Sequence, residues 1–163
     1  MGVELIRVDF RMIHGQVMVK WLKQTGAKKI VGVNDGVATD PFLGDIYKMS
    51  APVGVDIDIM TRDQAADYFS GEIGEKVLVL FKCVEDAEYC FKRGFPMRSL
   101  QIGGLGAGPG RINVYGPITL DAKDAAMLKG MSDAGVDVVF QQVPDESSTS
   151  LEKILKKFDF GLR

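Results

Sequence analysis

The sequence predicts an α/β fold: one domain built on an open, mostly parallel sheet with helices on both faces. Three observations carry that reading. Short apolar runs alternate along the chain with amphipathic stretches of helical period. The run KVLVLF, Lys76–Phe81, is almost uniformly apolar, as a strand covered on both faces has to be. Strands joined through helices must run mostly parallel, and 163 residues suffice for one such domain with a sizeable core. The expected organisation is therefore a single domain over residues 1–163, without repeats, long linkers or low-complexity tracts.

The elements follow in order. Val3–Asp9 (VELIRVD) opens as a strand. Gly15–Gly26 follows as a helix, with Val17 and Trp21, Met18 and Leu22 recurring at i, i+4 along one stripe. Gln16, Lys20, Lys23 and Gln24 largely fill its other side, and Gly26 stands where helices stop. Lys28–Asp35 is a second strand. In DPFLGDIYKMSAP, Asp40 is the expected N-cap and Pro41 takes the favoured first helical position. Val55–Met60 alternates as a half-buried strand, and Thr61 caps the helix within TRDQAADYFSG. After Lys76–Phe81 comes a helix over Val84–Arg93, closed by Gly94. Ser99–Gly104 (SLQIGG) is short and strand-like. PITLDAKDAAMLKGMSDAG holds a short strand and a helix capped near Asp121. Val136–Pro144 is the last clear strand, and Ser147–Phe158 a terminal amphipathic helix that packs its end through Phe158 and Phe160.

Composition removes several function classes. With 46% hydrophobic and 26% charged residues the chain has the balance of a soluble protein. A net charge of −2 argues against a nucleic-acid partner, whose usual footprint is strongly basic. No apolar run approaches the ~18–20 residues that span a bilayer, and charges in the first ten residues exclude a secretory signal. Met1-Gly2 begins like a myristoylation signal, but Ile6 stands where Ser or Thr is needed. The expected location is the cytoplasm. Cys83 and Cys90, seven apart on a presumed helix, lie too far apart for a disulfide and read as small buried or half-buried thiols. With one histidine and no C-x-x-C, no metal site is expected.

That one histidine carries the chemistry. It lies in RVDFRMIHGQV, Arg7–Val17, between a buried strand and a helix start. Open parallel sheets place their sites at the carboxyl ends of strands. Asp9–His14 lies at such an end, as do Asn34, Asp35, Lys82 and the glycine-rich stretch after Ile102. A neutral imidazole can accept a phosphoryl group, and arginine forks beside it would meet the phosphoryl oxygens with fixed donors. Phosphoryl transfer is catalysed almost wholly by positioning and charge stabilisation. A helix N-terminus adds backbone N–H groups aimed at the anion, and Gly15 would let the backbone come close. Asp9 either orients Arg11 or fixes the tautomer of His14. A cap or surface histidine, with arginines merely solvated or paired, is the ordinary alternative.

The same residues carry a resemblance. RVDFRMIHGQV, with the W-x-K-x-x-G-A-K-x-I-x-V-x-N-D stretch after it, resembles the IIB component of the mannose/fructose/sorbose family of the bacterial sugar phosphotransferase system. In that family the motif is close to R-x-D-D-R-L-I-H-G-Q-V. The likeness continues through Val33–Asp40, Leu100–Gly104 and Leu120–Pro144, almost the whole chain. It implies a phosphotransferase in which His14 takes phosphate from a IIA phosphohistidine. His14 would then pass it to a sugar entering through membrane IIC and IID partners, at the inner face of the membrane. Arg11 would be the phosphate partner and Asp9 the supporting carboxylate. Arg7 belongs to the motif, although on a strand its side chain could point away. Phe10 and Met12 depart from the family's second aspartate and leucine, which offers Phe10 or Met12 as apolar contacts for a partner.

The remaining candidates are weaker. IGGLGAGPGR, Ile102–Arg111, contains neither G-x-G-x-x-G nor G-K-[ST], so no nucleotide cofactor is expected. It reads as a mobile loop near His14, with Gly103 and Gly104 allowing close approach and Arg111 an ordinary surface arginine. Lys82 reads as solvated. Asn34 and Asp35 either hydrogen-bond the histidine loop or merely form a turn. The rival function class is a non-enzymatic domain sensing anionic metabolites through Arg11 and the helix end. A hydrolase with His14 as base lacks a partnered Ser or Cys.

Overall fold

The first strand, β1 (Gly2–Asp9), runs through the interior of a seven-stranded sheet, with β4 (Lys76–Phe81) on one side and β5 (Ser99–Gly104) on the other. This arrangement comes from a computed structural model that describes residues 2–162. With β2 (Lys29–Val33), β3 (Asp56–Met60), β8 (Asp137–Phe140) and β9 (Thr149–Ser150), the order across the sheet is β3, β2, β4, β1, β5, β8, β9. Every pairing is parallel except that of β8 with β9. The predicted fold class holds.

The helices that make the parallel crossovers are α1 (Gly15–Thr25), α3 (Pro41–Met49), α4 (Arg62–Tyr68), α5 (Val84–Lys92) and α6 (Ala122–Asp133). They are joined by the short α2 (Asp35–Ala38) and the C-terminal α7 (Leu151–Lys157). The caps fall where local chemistry puts them. Asp40 accepts from the amides of Phe42 and Leu43, and Thr61 with Gln64 forms a reciprocal capping box.

Both sheet faces are covered, and β4 shows how. Val77, Val79 and Phe81 enter one core with Ala65 of α4, Cys90 of α5 and Leu128 of α6. Leu78 and Leu80 enter the other with Met18, Trp21 and Leu22 of α1. Alternation along a strand thus feeds two cores, and each fully buried side chain contributes roughly 1.5–3 kcal/mol over its exposed state.

This winding fixes where a site can form. From β1 the chain moves toward the β3 edge over the face held by α1. From β5 it moves toward the β9 edge over the face held by α6. The two departures diverge, so a crevice opens at the carboxyl ends of β1 and β5, the usual binding place in such sheets. Asp9 lies opposite Gly104 there.

Four differences from the sequence reading stand out. α2 is a single turn hidden within the expected second strand and the stretch after it. The glycine-rich region is followed by a hairpin of β6 (Ile112–Tyr115) and β7 (Ile118–Leu120), of which only the second half was expected. The last helix begins at Leu151 with Ser150 as its cap, because Thr149 and Ser150 pair antiparallel with β8. Cys83 is the N-cap of α5 rather than a residue on it; it is half-buried, while Cys90 is buried. Among the described residues no helix is long and apolar enough to cross a membrane.

Candidate active site

The loop after β1 is held in shape by its own backbone and by two apolar anchors. The Met12 amide donates to the Asp9 carbonyl at 3.0 Å, and the Arg11 amide donates to Asp9 Oδ1 at 3.1 Å. This is the turn that aspartate favours at strand ends. Met12 adopts φ 59°, a left-handed conformation that costs a non-glycine residue about 1–2 kcal/mol. Its side chain is fully buried, over Gly32, where a Cβ would stand 2.9 Å from both Met12 Cε and Ile59 Cδ1. Ile13 is buried as well, so the loop cannot lift away as a unit. Met12 is therefore an anchor and not a partner contact, contrary to the sequence expectation.

On either side of these anchors Arg11 and His14 are partly exposed. His14 is the N-cap of α1 with extended backbone, and its side chain makes no capping bond. The imidazole is turned instead to Asp9, with Nε2 at 3.0 Å from Oδ2. Gly15 follows at φ +34°, and a Cβ there would meet nothing within 4 Å. The glycine serves the backbone angle and leaves open space at the start of α1.

Asp9 is the hub. Its carboxylate, wholly shielded from solvent, receives Arg7 Nη2 at 3.2 Å, Arg11 Nε at 3.2 Å and His14 Nε2. Burial alone would raise its pKa, but hydrogen bonds from His14 and Arg11 and the charge of Arg7 outweigh it and hold the group at about 2. An ionised Asp9 can only accept, so the 3.0 Å contact takes its hydrogen from His14 Nε2, and in the neutral ring that leaves the lone pair on Nδ1. Of the two partners left open for Asp9, its carboxylate touches both, Arg11 through Nε and His14 through Nε2.

Arg7 does not point away. Its guanidinium lies beneath Asp9, donates to Gln101 Oε1 and to the Gln141 carbonyl, and packs 5.6 Å from the Trp21 ring. Burial lowers its pKa to about 10, so it stays charged at neutral pH. Room for it comes from Gly103, where a Cβ would fall 1.9 Å from Arg7 Cζ. A Cβ at Gly104 would fall 2.9 Å from Asp9 Oδ1. Gly103 and Gly104 thus do allow close approach, but as buried residues of β5 rather than of a loop.

Around this centre Lys82 donates to the Phe10 carbonyl at 2.9 Å and so braces the loop, where a solvated lysine was expected. Phe10 is partly exposed, its ring 5.6 Å from Arg11 Cζ and close over Gly106. Asn34 and Asp35 do not join the site. Asn34 caps α2 and donates to Asp86, and Asp35 pairs with Arg62 at the start of α4. Arg111 is no loose surface group: it holds Thr119, Asp121 and Asp124, fastening the hairpin to α6. Gln101 and the Gln141 carbonyl were not foreseen, since nothing in their spacing marks them. Among the described residues no cluster of His, Cys, Asp or Glu could hold a metal ion.

A buried carboxylate, two arginines, an imidazole with Nδ1 open and a helix N-terminus form a place for an anion to react. The comparisons agree with this geometry. Residues 3–162 match the family described as PTS system sorbose subfamily IIB component. The chain belongs to that family. It is 32% identical over 161 residues to the sorbose-specific EIIB component of Lacticaseibacillus casei, covering 97% of this chain and 98% of that one. It is 27% identical over 161 residues to the mannose-specific EIIAB component of Escherichia coli K12, covering 98% of this chain. The chain spans about half, 50%, of that longer relative. Its fold superposes on the crystal structure of the IIBSor domain of the Klebsiella pneumoniae sorbose permease with a TM-score of 0.92. That match has 26% identity and covers 98% of this chain and 99% of the other. A crystal structure of manxB from Thermoanaerobacter tengcongensis gives a TM-score of 0.90 at 32% identity, covering 96% of both chains.

Proposed function

We propose that residues 1–163 act as one IIB domain in which His14 Nδ1 accepts a phosphoryl group from a IIA phosphohistidine. The domain then passes the group to a sugar entering through IIC and IID membrane partners. The observation that carries this reading is the 3.0 Å contact between Asp9 Oδ2 and His14 Nε2, which leaves Nδ1 as the nucleophile. In the first step the donor's P–N bond breaks as a P–Nδ1 bond forms. No proton has to leave, because Nε2 keeps its hydrogen and the phosphoryl oxygens now on Nδ1 offset the positive charge that the ring acquires. Arg11, one-third exposed, meets the phosphoryl oxygens, aided by the amides that open α1. In the second step a sugar hydroxyl oxygen attacks phosphorus, the P–Nδ1 bond breaks and the hydroxyl proton departs to solvent or a partner's base.

Phe10 offers the exposed apolar contact beside His14 that two successive partners would share. Such complexes must be weak and brief, since a carrier has to leave after each transfer. The place of action is the cytoplasm, at the inner face of the membrane. The test is incubation with phosphoenolpyruvate, the general phosphotransferase proteins and a IIA donor, followed by intact mass under non-acidic conditions. One added phosphoryl group, absent from His14→Gln, supports the reading. No addition beside a demonstrably phosphorylated IIA contradicts it.

A further inference from the structure

One peptide of the histidine loop is held at both ends by side chains. Residues Asp9–Met12 form a β-turn, closed by the Met12 amide on the Asp9 carbonyl at 3.0 Å. Neither Phe10 nor Arg11 has a positive φ, so the turn is of type I. Its central peptide joins Phe10 to Arg11. The N–H of that peptide donates to Asp9 Oδ1 at 3.1 Å, and its carbonyl, pointing the other way, accepts from Lys82 Nζ at 2.9 Å. Turning the peptide over would face its carbonyl to Asp9 and demand positive φ at Arg11. Smaller tilts cost less, and the Arg11 side chain rides on them. Its own bonds to Asp9 are long, 3.2 Å from Nε and 3.4 Å from Nη2, so its direction depends on the backbone beneath.

Lys82 is placed to control that tilt. It follows β4 directly, and Phe81 stands opposite both Val8 of β1 and Val33 of β2, so the lysine leaves the sheet level with Asp9. Its amide is fixed on the Val33 carbonyl at 3.3 Å. Among the described residues its ammonium makes the hydrogen bond to Phe10 and no ion pair. We propose that Lys82 is a positioning residue for phosphoryl transfer: by gripping the Phe10 carbonyl it fixes the peptide that aims Arg11 at the phosphoryl group on His14. This role rests on the carrier reading of His14. The charged donor also polarises the peptide, which strengthens the Arg11 amide as a donor to Asp9.

Transfer from phosphorylated IIA tests this with two variants of the full chain. Lys82→Met keeps most of the stem, and Lys82→Arg keeps the charge. Lys82 and Phe10 border an open cleft of about 530 Å³ shared with Leu105, Gly106 and Lys123, so water can take the place of the ammonium and the fold should stand. Lys82→Met should lower the saturating rate of His14 phosphorylation on the order of tenfold, with the half-saturating IIA concentration unchanged. Lys82→Arg should recover most of that loss. With Arg11→Ala already present, Lys82→Met should cost less than about twofold more, because its effect passes through Arg11. A wild-type rate in Lys82→Met would overturn the proposal, as would an undiminished loss in the Arg11→Ala background. An unchanged rate with a raised half-saturating concentration would make Lys82 a docking contact for the donor instead. The Arg11 amide separates this role from the carrier reading. In the free protein its 1H–15N signal should move, and its hydrogen exchange quicken, in Lys82→Met and far less in Lys82→Arg. An unmoved signal counts against the grip of Lys82 whatever the transfer rates. No transfer to the wild-type chain beside a moved signal would refute the carrier reading and not the grip.

Discussion

Asp9 Oδ2 lies 3.0 Å from His14 Nε2, and the carboxylate that makes this contact is shared with Arg7 beneath it and Arg11 outside it. Two guanidinium charges on one carboxylate leave one positive charge unmatched, which suits the site to an anion. The same carboxylate fixes which imidazole nitrogen is open. Charge balance and tautomer are therefore set by one residue at a strand end.

Arg11 is the most exposed side chain of this network, one-third open, and among the described residues its hydrogen bonds go to Asp9. Arg11→Ala should slow phosphorylation of His14 by on the order of 100-fold or more, as loss of a transition-state donor does, with little change in thermal stability. Quench-flow transfer from phosphorylated IIA checks this, and wild-type kinetics would remove Arg11 from its assigned role.

Gly103 is where the network meets the sheet. Gly103→Ala drives a Cβ into the Arg7 guanidinium, which Gln101, the Gln141 carbonyl and Asp9 hold in place. The expected loss is about 2 kcal/mol or more in urea unfolding, with slower phosphorylation because Asp9 shifts too. A variant as stable and as active as the wild type would show that Arg7 can move freely.

Acid should reveal Asp9. Its folded pKa of about 2 lies below the ordinary value of ~3.9. Its stabilisation, on the order of 2 kcal/mol, is thus fully present above pH ~4 and disappears as pH falls toward 2. Asp86 and Asp124 work in the opposite sense: burial raises both, so lowering pH through their folded values relieves a penalty. Denaturant midpoints measured from pH 6 to 2 should fall below pH 4, and Asp9→Asn should fall less steeply, by roughly one proton.

The thiols should be inert. Burial, reinforced by Asp86, raises both Cys83 and Cys90 to about 12. Iodoacetamide at pH 8 should leave both unmodified in the folded chain and modify both in urea. Fast labelling of folded Cys83 would show an open α5 N-terminus.

Much of this was legible in the sequence, for identifiable reasons. β4 read correctly because it feeds two covered faces and so is apolar at nearly every position. Asp40 and Thr61 read correctly because capping is decided locally. His14, Arg11 and Asp9 are brought together because one turn joins them. What could not be read depends on contacts between distant segments. Gly103 looked like loop glycine until Arg7 lay across it. Asn34 ends a strand beside the site but spends its amide on Asp86, 52 residues away in sequence. Met12 looked available because nothing local shows the space above Gly32 that it fills.

The central claim is that Asp9 leaves His14 Nδ1 as the phosphoryl acceptor. His14 is the only histidine, so the 15N-histidine-labelled chain gives a single imidazole signal pair. Long-range 1H–15N and 31P spectra of the phosphorylated protein, at alkaline pH, read the acceptor nitrogen directly. The account predicts phosphorus on Nδ1 with the hydrogen kept on Nε2. Phosphorus on Nε2, or an unchanged imidazole beside phosphorylated IIA, would contradict it.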